Sequence, residues 1–96
     1  MRRVAVLVLP DVHLLDLAGP VQTFYEANEC GANYQISHCG VLPEVRSAQG
    51  LLLSHLEPLP SLGRGDTVLI PGMDSSTIDR LSHAPLVWLR DRKSVV

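Results

Sequence analysis

Six apolar residues in a row, Val4-Ala5-Val6-Leu7-Val8-Leu9, follow Met1-Arg2-Arg3. An unbroken aliphatic and β-branched run suits a strand covered on both faces, as in a parallel sheet. Pro10-Asp11 ends it. A signal peptide opens in a similar way, but it would continue into a longer apolar core and a small-residue cleavage site, so a buried first strand is the reading adopted. Val21, Phe24, Tyr25 and Asn28 lie three or four residues apart. That spacing predicts a helix from about Ala18 to Asn28, with Val21, Phe24 and Tyr25 turned onto the sheet. Pro20 suits the first turn, where the N–H it lacks would be unpaired anyway. Gly31 is placed to stop the helix. Tyr34 to Gly40 alternates and reads as a second strand.

The first strand, helix and second strand make a βαβ unit, for which a right-handed crossover is expected. Val45-Arg46-Ser47 and Leu51-Leu52-Leu53-Ser54 flank Ala48-Gln49-Gly50, the pattern of a small hairpin beside the main sheet. Glu57 to Gly65 carries two prolines and two glycines and reads as a loop. Thr67-Val68-Leu69-Ile70 predicts a third buried parallel strand, ended by Pro71-Gly72-Met73. Asp74 or Ser75 could cap a short helix to about Ser82. A further helix is expected from Pro85, carrying Leu86, Val87 and Leu89. The fold class predicted is α/β: a three-layer α/β/α sandwich with a mostly parallel, flavodoxin-like sheet. Each face of such a sheet needs a covering layer and a further strand is expected, so the domain reads as truncated after about its first half.

Composition narrows the classes without choosing a function. Of 96 residues, 46% are apolar and 19% charged, the balance of a folded soluble domain. The net charge of -2 gives no electrostatic case for binding nucleic acid or an anionic membrane. No apolar stretch is long enough to span a bilayer. Cys30 and Cys39 fit no metal or redox spacing and read as free thiols of a cytoplasmic protein. His13, His38, His55 and His83 form no ligand pair, so no metal or other cofactor is expected.

Open α/β sheets place their sites at the carboxyl ends of the strands. Asp16 follows the first strand and Pro71-Gly72-Met73 follows the third. Val4 to Leu9, then Leu14-Leu15-Asp16-Leu17-Ala18-Gly19-Pro20, then Val68-Leu69-Ile70-Pro71-Gly72 resemble the PfpI-like branch of the class I glutamine amidotransferase-like superfamily. The resemblance runs from about Arg3 to Leu89. The wording LLDLAGP followed by VQTFYEA is most similar to the amidotransferase-like domain at the N-terminus of AraC-type transcriptional regulators, and LDLTGP wording occurs in isonitrile hydratase-like enzymes. The resemblance implies a cysteine on a strand-to-helix elbow, an acidic partner from the first βα turn, and backbone N–H groups after the third strand. Asp16 matches the acidic position. Gly72 matches the first glycine of a proline-glycine-glycine turn, and Met73 replaces the second, which weakens an oxyanion role there.

Asp16, Gly72 and Met73 are therefore the candidate ligand-binding residues, with Asp16 the candidate acidic partner of a cysteine absent from this chain. Cys30 and Cys39 match no elbow. Asp16 also has a plain alternative as a helix-start residue accepting backbone N–H bonds. His13 reads as a surface-loop histidine, and Asp74, Ser75 and Ser76 as cap and loop residues, since no GxSxG elbow is present.

The resemblance implies residues 1–90 as the N-terminal part of an amidotransferase-like domain that senses a small molecule, and dimerises, in an AraC-type regulator. DNA would be bound through a separate C-terminal helix-turn-helix domain, and no membrane is involved. The alternative is part of a PfpI-like cysteine hydrolase or isonitrile hydratase-like enzyme. A third reading gives the 96-residue chain no function of its own, and without the cysteine it is not expected to be an enzyme as it stands. Residues 91–96, Asp91-Arg92-Lys93-Ser94-Val95-Val96, leave the helical stripe of Leu86 and Leu89. They back-translate as GAT CGG AAG AGC GTC GTG with TAG next, the string of a short-read sequencing adapter. They are read as a non-native tail, against the native alternative of a solvated helix end.

Overall fold

A computed structural model describes residues 2–73. The helices expected after Asp74 and Pro85, and residues 91–96, lie outside the described residues. The elements are β1 (Arg2–Leu7), α1 (Leu14–Glu29), β2 (Tyr34–Cys39), β3 (Val45–Arg46), β4 (Leu52–Leu53) and β5 (Thr67–Leu69). β1 is the middle strand of a parallel sheet ordered β2-β1-β5. β3 and β4 form the separate antiparallel hairpin, pairing Val45 with Leu53 and Arg46 with Leu52. This is the mostly parallel α/β arrangement of a flavodoxin-like sandwich.

The central position of β1 explains its unbroken apolar run. Val4 to Leu9 are all buried. Val4, Val6 and Val8 face a core shared with Val12, Leu17 and Val45, against which Val21 and Phe24 of α1 pack. Ala5, Leu7 and Leu9 face the other way, onto Cys39, Leu59, Leu62 and Met73. Full burial contributes about 1.5–3 kcal/mol for each of the valines and leucines. The segment from Glu57 to Gly65 is more than a connection, because Leu59 and Leu62 cover the sheet face opposite α1. Its first residue also extends the sheet: Glu57 N–H donates to His38 C=O and Gly40 N–H to Glu57 C=O, each at 2.9 Å.

Helix α1 starts four residues earlier than the pattern predicts. Leu14 N–H donates to Gln49 Oε1 at 3.1 Å, and Leu17 N–H to His13 C=O at 3.1 Å. Leu17 is buried, so the core holds the added turn in place. Pro20 consequently lies inside the helix and not in its first turn. The N–H it lacks is the one that would have bonded Asp16 C=O. Tyr25, expected on the sheet, is 53% exposed; the inward stripe runs through Leu17, Val21 and Phe24 instead.

The far end of α1 follows the predicted stop. Gly31 has φ +105°, Ala32 N–H donates to Ala27 C=O at 3.0 Å and Gly31 N–H to Asn28 C=O at 3.1 Å, a Schellman closure. The Asn28 side chain then holds both backbone groups of Tyr34: Tyr34 N–H donates to Oδ1 at 2.8 Å, and Nδ2 donates to Tyr34 C=O at 2.9 Å. Phe24 meets the Tyr34 ring edge to face at 4.9 Å. These contacts fix where β2 begins.

Candidate active site at the end of the central strand

The chain leaving β1 is held from two sides. Asp11, with φ +64°, turns it, and Asp11 N–H donates to Arg46 C=O at 2.9 Å. A short aspartate tolerates this left-handed conformation better than most residues. Ala48 N–H donates to Val12 C=O at 2.9 Å, so the hairpin clamps one side. On the other side His13 N–H donates to Gly72 C=O at 2.9 Å, and Val12 pairs with Met73 in an antiparallel bridge. The β1–α1 turn and the turn after β5, 55 residues or more apart in sequence, thus become one surface at the carboxyl end of the sheet.

Asp16 and Gly72 meet there. A Cβ placed on Gly72 would lie 2.5 Å from Asp16 Oδ2, so the carboxylate rests directly over that glycine. The same oxygen is 3.7 Å from His13 Nδ1. Both side chains stay accessible, Asp16 at 53% and His13 at 41%. Asp16 lies in the first turn of α1. The cap position belongs to His13, which makes no side-chain cap hydrogen bond. The arrangement offers an accessible carboxylate at a strand end, chemically suited to exchange a proton with a neighbouring thiol or ligand.

Met73 stands beside this pair, but its side chain packs against the core of Ala5, Leu7, Leu9 and Cys39. The sequence reading of His13 as a loop residue misses its place beside Asp16. It also misses Gln49, whose amide oxygen receives the first N–H of α1. The i, i+3 spacing of His13 and Asp16 was the available signal for the first; nothing local pointed to the second.

Both cysteines are free thiols, Cys30 exposed and Cys39 buried. Burial, with a smaller contribution from the Glu57 charge, pushes the Cys39 thiol up to about 11. Its Sγ donates to Val6 C=O at 3.5 Å. A thiol kept protonated in this way is a structural residue and not an activated nucleophile. Among the described residues no group of three or more His, Cys, Asp or Glu side chains could hold a metal ion. No helix among them is long and apolar enough to cross a membrane.

Known proteins agree with this geometry at the level of fold. No family model matches the chain. The crystal structure of an AraC family transcriptional regulator from Pseudomonas putida superposes with a TM-score of 0.66 at 20% identity, over 92% of this chain and 52% of that one. A DJ-1 superfamily protein from Agrobacterium tumefaciens gives 0.66 at 20% identity, over 99% of this chain and 52% of that one. The chain therefore shares its mostly parallel α/β fold with these two structures. In sequence the chain is 38% identical over 74 residues to a Streptomyces lividans protein, named only as an uncharacterised protein of the cpoL 5′ region. It spans about half of that relative's length, 52%.

Proposed function

We propose that this chain forms the acid-bearing wall of a small-molecule site in a PfpI-like protein. Asp16 serves there as proton partner to a cysteine nucleophile contributed by another segment of the full-length protein. The activity would be that of a cysteine hydrolase or an isonitrile hydratase-like enzyme. The observation that carries the reading is the accessible Asp16 carboxylate, held over Gly72 at the carboxyl end of the central parallel strand. A carboxyl group there can hydrogen-bond a sulfur, tune its protonation and return the proton to the leaving atom. The test is Asp16→Asn in the full-length protein, assayed on a panel of amides and isonitriles. General acid–base loss predicts a fall in kcat of about 10²-fold or more. Turnover at the unaltered rate would remove Asp16 from the chemistry.

A second reading keeps the same surface and removes the turnover. The wording LLDLAGP–VQTFYEA and the likeness to the Pseudomonas putida regulator support a sensing and dimerising domain of a cytoplasmic AraC-type protein. Its ligand would be a small metabolite, and DNA would be bound by a helix-turn-helix domain elsewhere in that protein. Calorimetric binding of an amide or amine ligand without consumption, lost in Asp16→Asn, favours the sensor; consumption favours the enzyme. Fold alone decides neither.

A further inference from the structure

We infer that Gly72 is a positioning residue, whose missing side chain is the space that seats the Asp16 carboxylate. The inference rests on the role proposed for Asp16 and explains how that group is aimed.

Two usual reasons for a glycine do not apply at position 72. Its φ is not positive, unlike Gly31, Gly50 and Gly65, so no left-handed backbone conformation demands glycine there. Its carbonyl bonds His13 N–H, which a residue of any type could do. Space is the remaining reason. An added Cβ would stand 2.5 Å from Asp16 Oδ2 and 3.5 Å from Cγ. Real Cβ atoms essentially never approach a neighbour so closely, so something must move.

What would move distinguishes this glycine from Gly40. There a Cβ meets the Val8 carbonyl oxygen at 2.9 Å, and the backbone cannot turn aside. At Gly72 the three nearest atoms all belong to the Asp16 side chain, which is half exposed and free to rotate. A single added methyl would therefore leave the fold standing and swing the carboxylate away. The oxygen displaced is also the one facing His13 Nδ1. Gly72 thus controls whether the acid points along the strand end or into solvent.

The test uses the full-length protein labelled with ¹³C, as wild type, Gly72→Ala, Asp16→Ala and the double variant. The Asp16 carboxyl resonance and the nuclear Overhauser effect between Asp16 Hβ and Gly72 Hα report the seat. Thermal melting reports the fold. In Gly72→Ala the carboxyl resonance should shift and the contact with residue 72 be lost, while the melting midpoint stays within about 2 °C. An unmoved resonance and a retained contact would overturn the inference, whatever Asp16→Asn does to turnover. A moved resonance with unchanged turnover would uphold the seat and remove the acid role of Asp16. Should Gly72→Ala fail to fold, recovery in the Asp16→Ala/Gly72→Ala protein upholds the clash with the carboxylate; continued failure overturns it.

Discussion

Alkaline pH should destabilise this protein through one buried thiol. Cys39 ends β2 with no solvent exposure, and its pKa is pushed from 9.0 to about 11 because burial penalises the thiolate. An unfolded chain releases this proton near 9.0, whereas the folded chain keeps it until about 11. The stabilisation is therefore fully present below pH 9 and is lost as pH rises through 11. The loss is RT ln[(1 + 10^(pH−9))/(1 + 10^(pH−11))], which is about 1.4 kcal/mol at pH 10 and about 2.3 kcal/mol at pH 11. Against a typical domain stability of roughly 5–15 kcal/mol this is large enough to read directly. Urea unfolding of wild type and Cys39→Ala at pH 8 and pH 10 isolates it, because every other titratable group is common to both proteins. Cys39→Ala should be the less stable protein at pH 8, through lost packing. Between pH 8 and pH 10 the gap should close by about 1.3 kcal/mol. A gap that is the same at both pH values would refute the reasoning.

The other expected outcomes concern the joints of the fold. Asn28→Ala removes two hydrogen bonds to Tyr34 and should cost about 1–3 kcal/mol in urea unfolding; a change below the noise of that measurement would mean the amide is not the pin between α1 and β2. Gly31→Ala and Gly19→Ala should have opposite signs, although neither added Cβ meets an atom within 4 Å. Gly31 has φ +105°, so the first should cost about 1–2 kcal/mol. Gly19 lies inside α1, so the second should stabilise by about 0.5–1 kcal/mol in the same urea unfolding. Equal signs would contradict the backbone origin of both effects.

Much of the scaffold is legible in the chain because its signals are local. The Val4–Leu9 run specifies a strand buried on both faces, and β1 is that strand, between two parallel neighbours. Alternation from Tyr34 and the Thr67–Ile70 run mark β2 and β5, and Gly31 marks the end of α1 through a conformation that glycine adopts readily. The start of α1 was not legible in this way. Pro20 and the later apolar spacing point to Ala18, but the core takes in Leu17 and a hairpin glutamine receives the Leu14 N–H. The loop at Leu59 and Leu62 carries the turn residues of an exposed connection, yet a bare sheet face draws its leucines inward.

For the site the division is sharper. The sequence by itself determined which residue types stand at the strand ends: an aspartate after the first strand, and a proline-glycine-methionine turn after the third. Only the tertiary structure decided that they touch. Parallel pairing of β1 with β5 sets the two turns side by side, and the His13–Gly72 hydrogen bond joins them. It also gave Gly72 a physical role, since the glycine matched in sequence only as part of a turn leaves room for an acid. Backbone freedom is a property of one residue and can be read from its type. Room for a neighbour belongs to two residues distant in sequence, and it exists only once the sheet has brought them together.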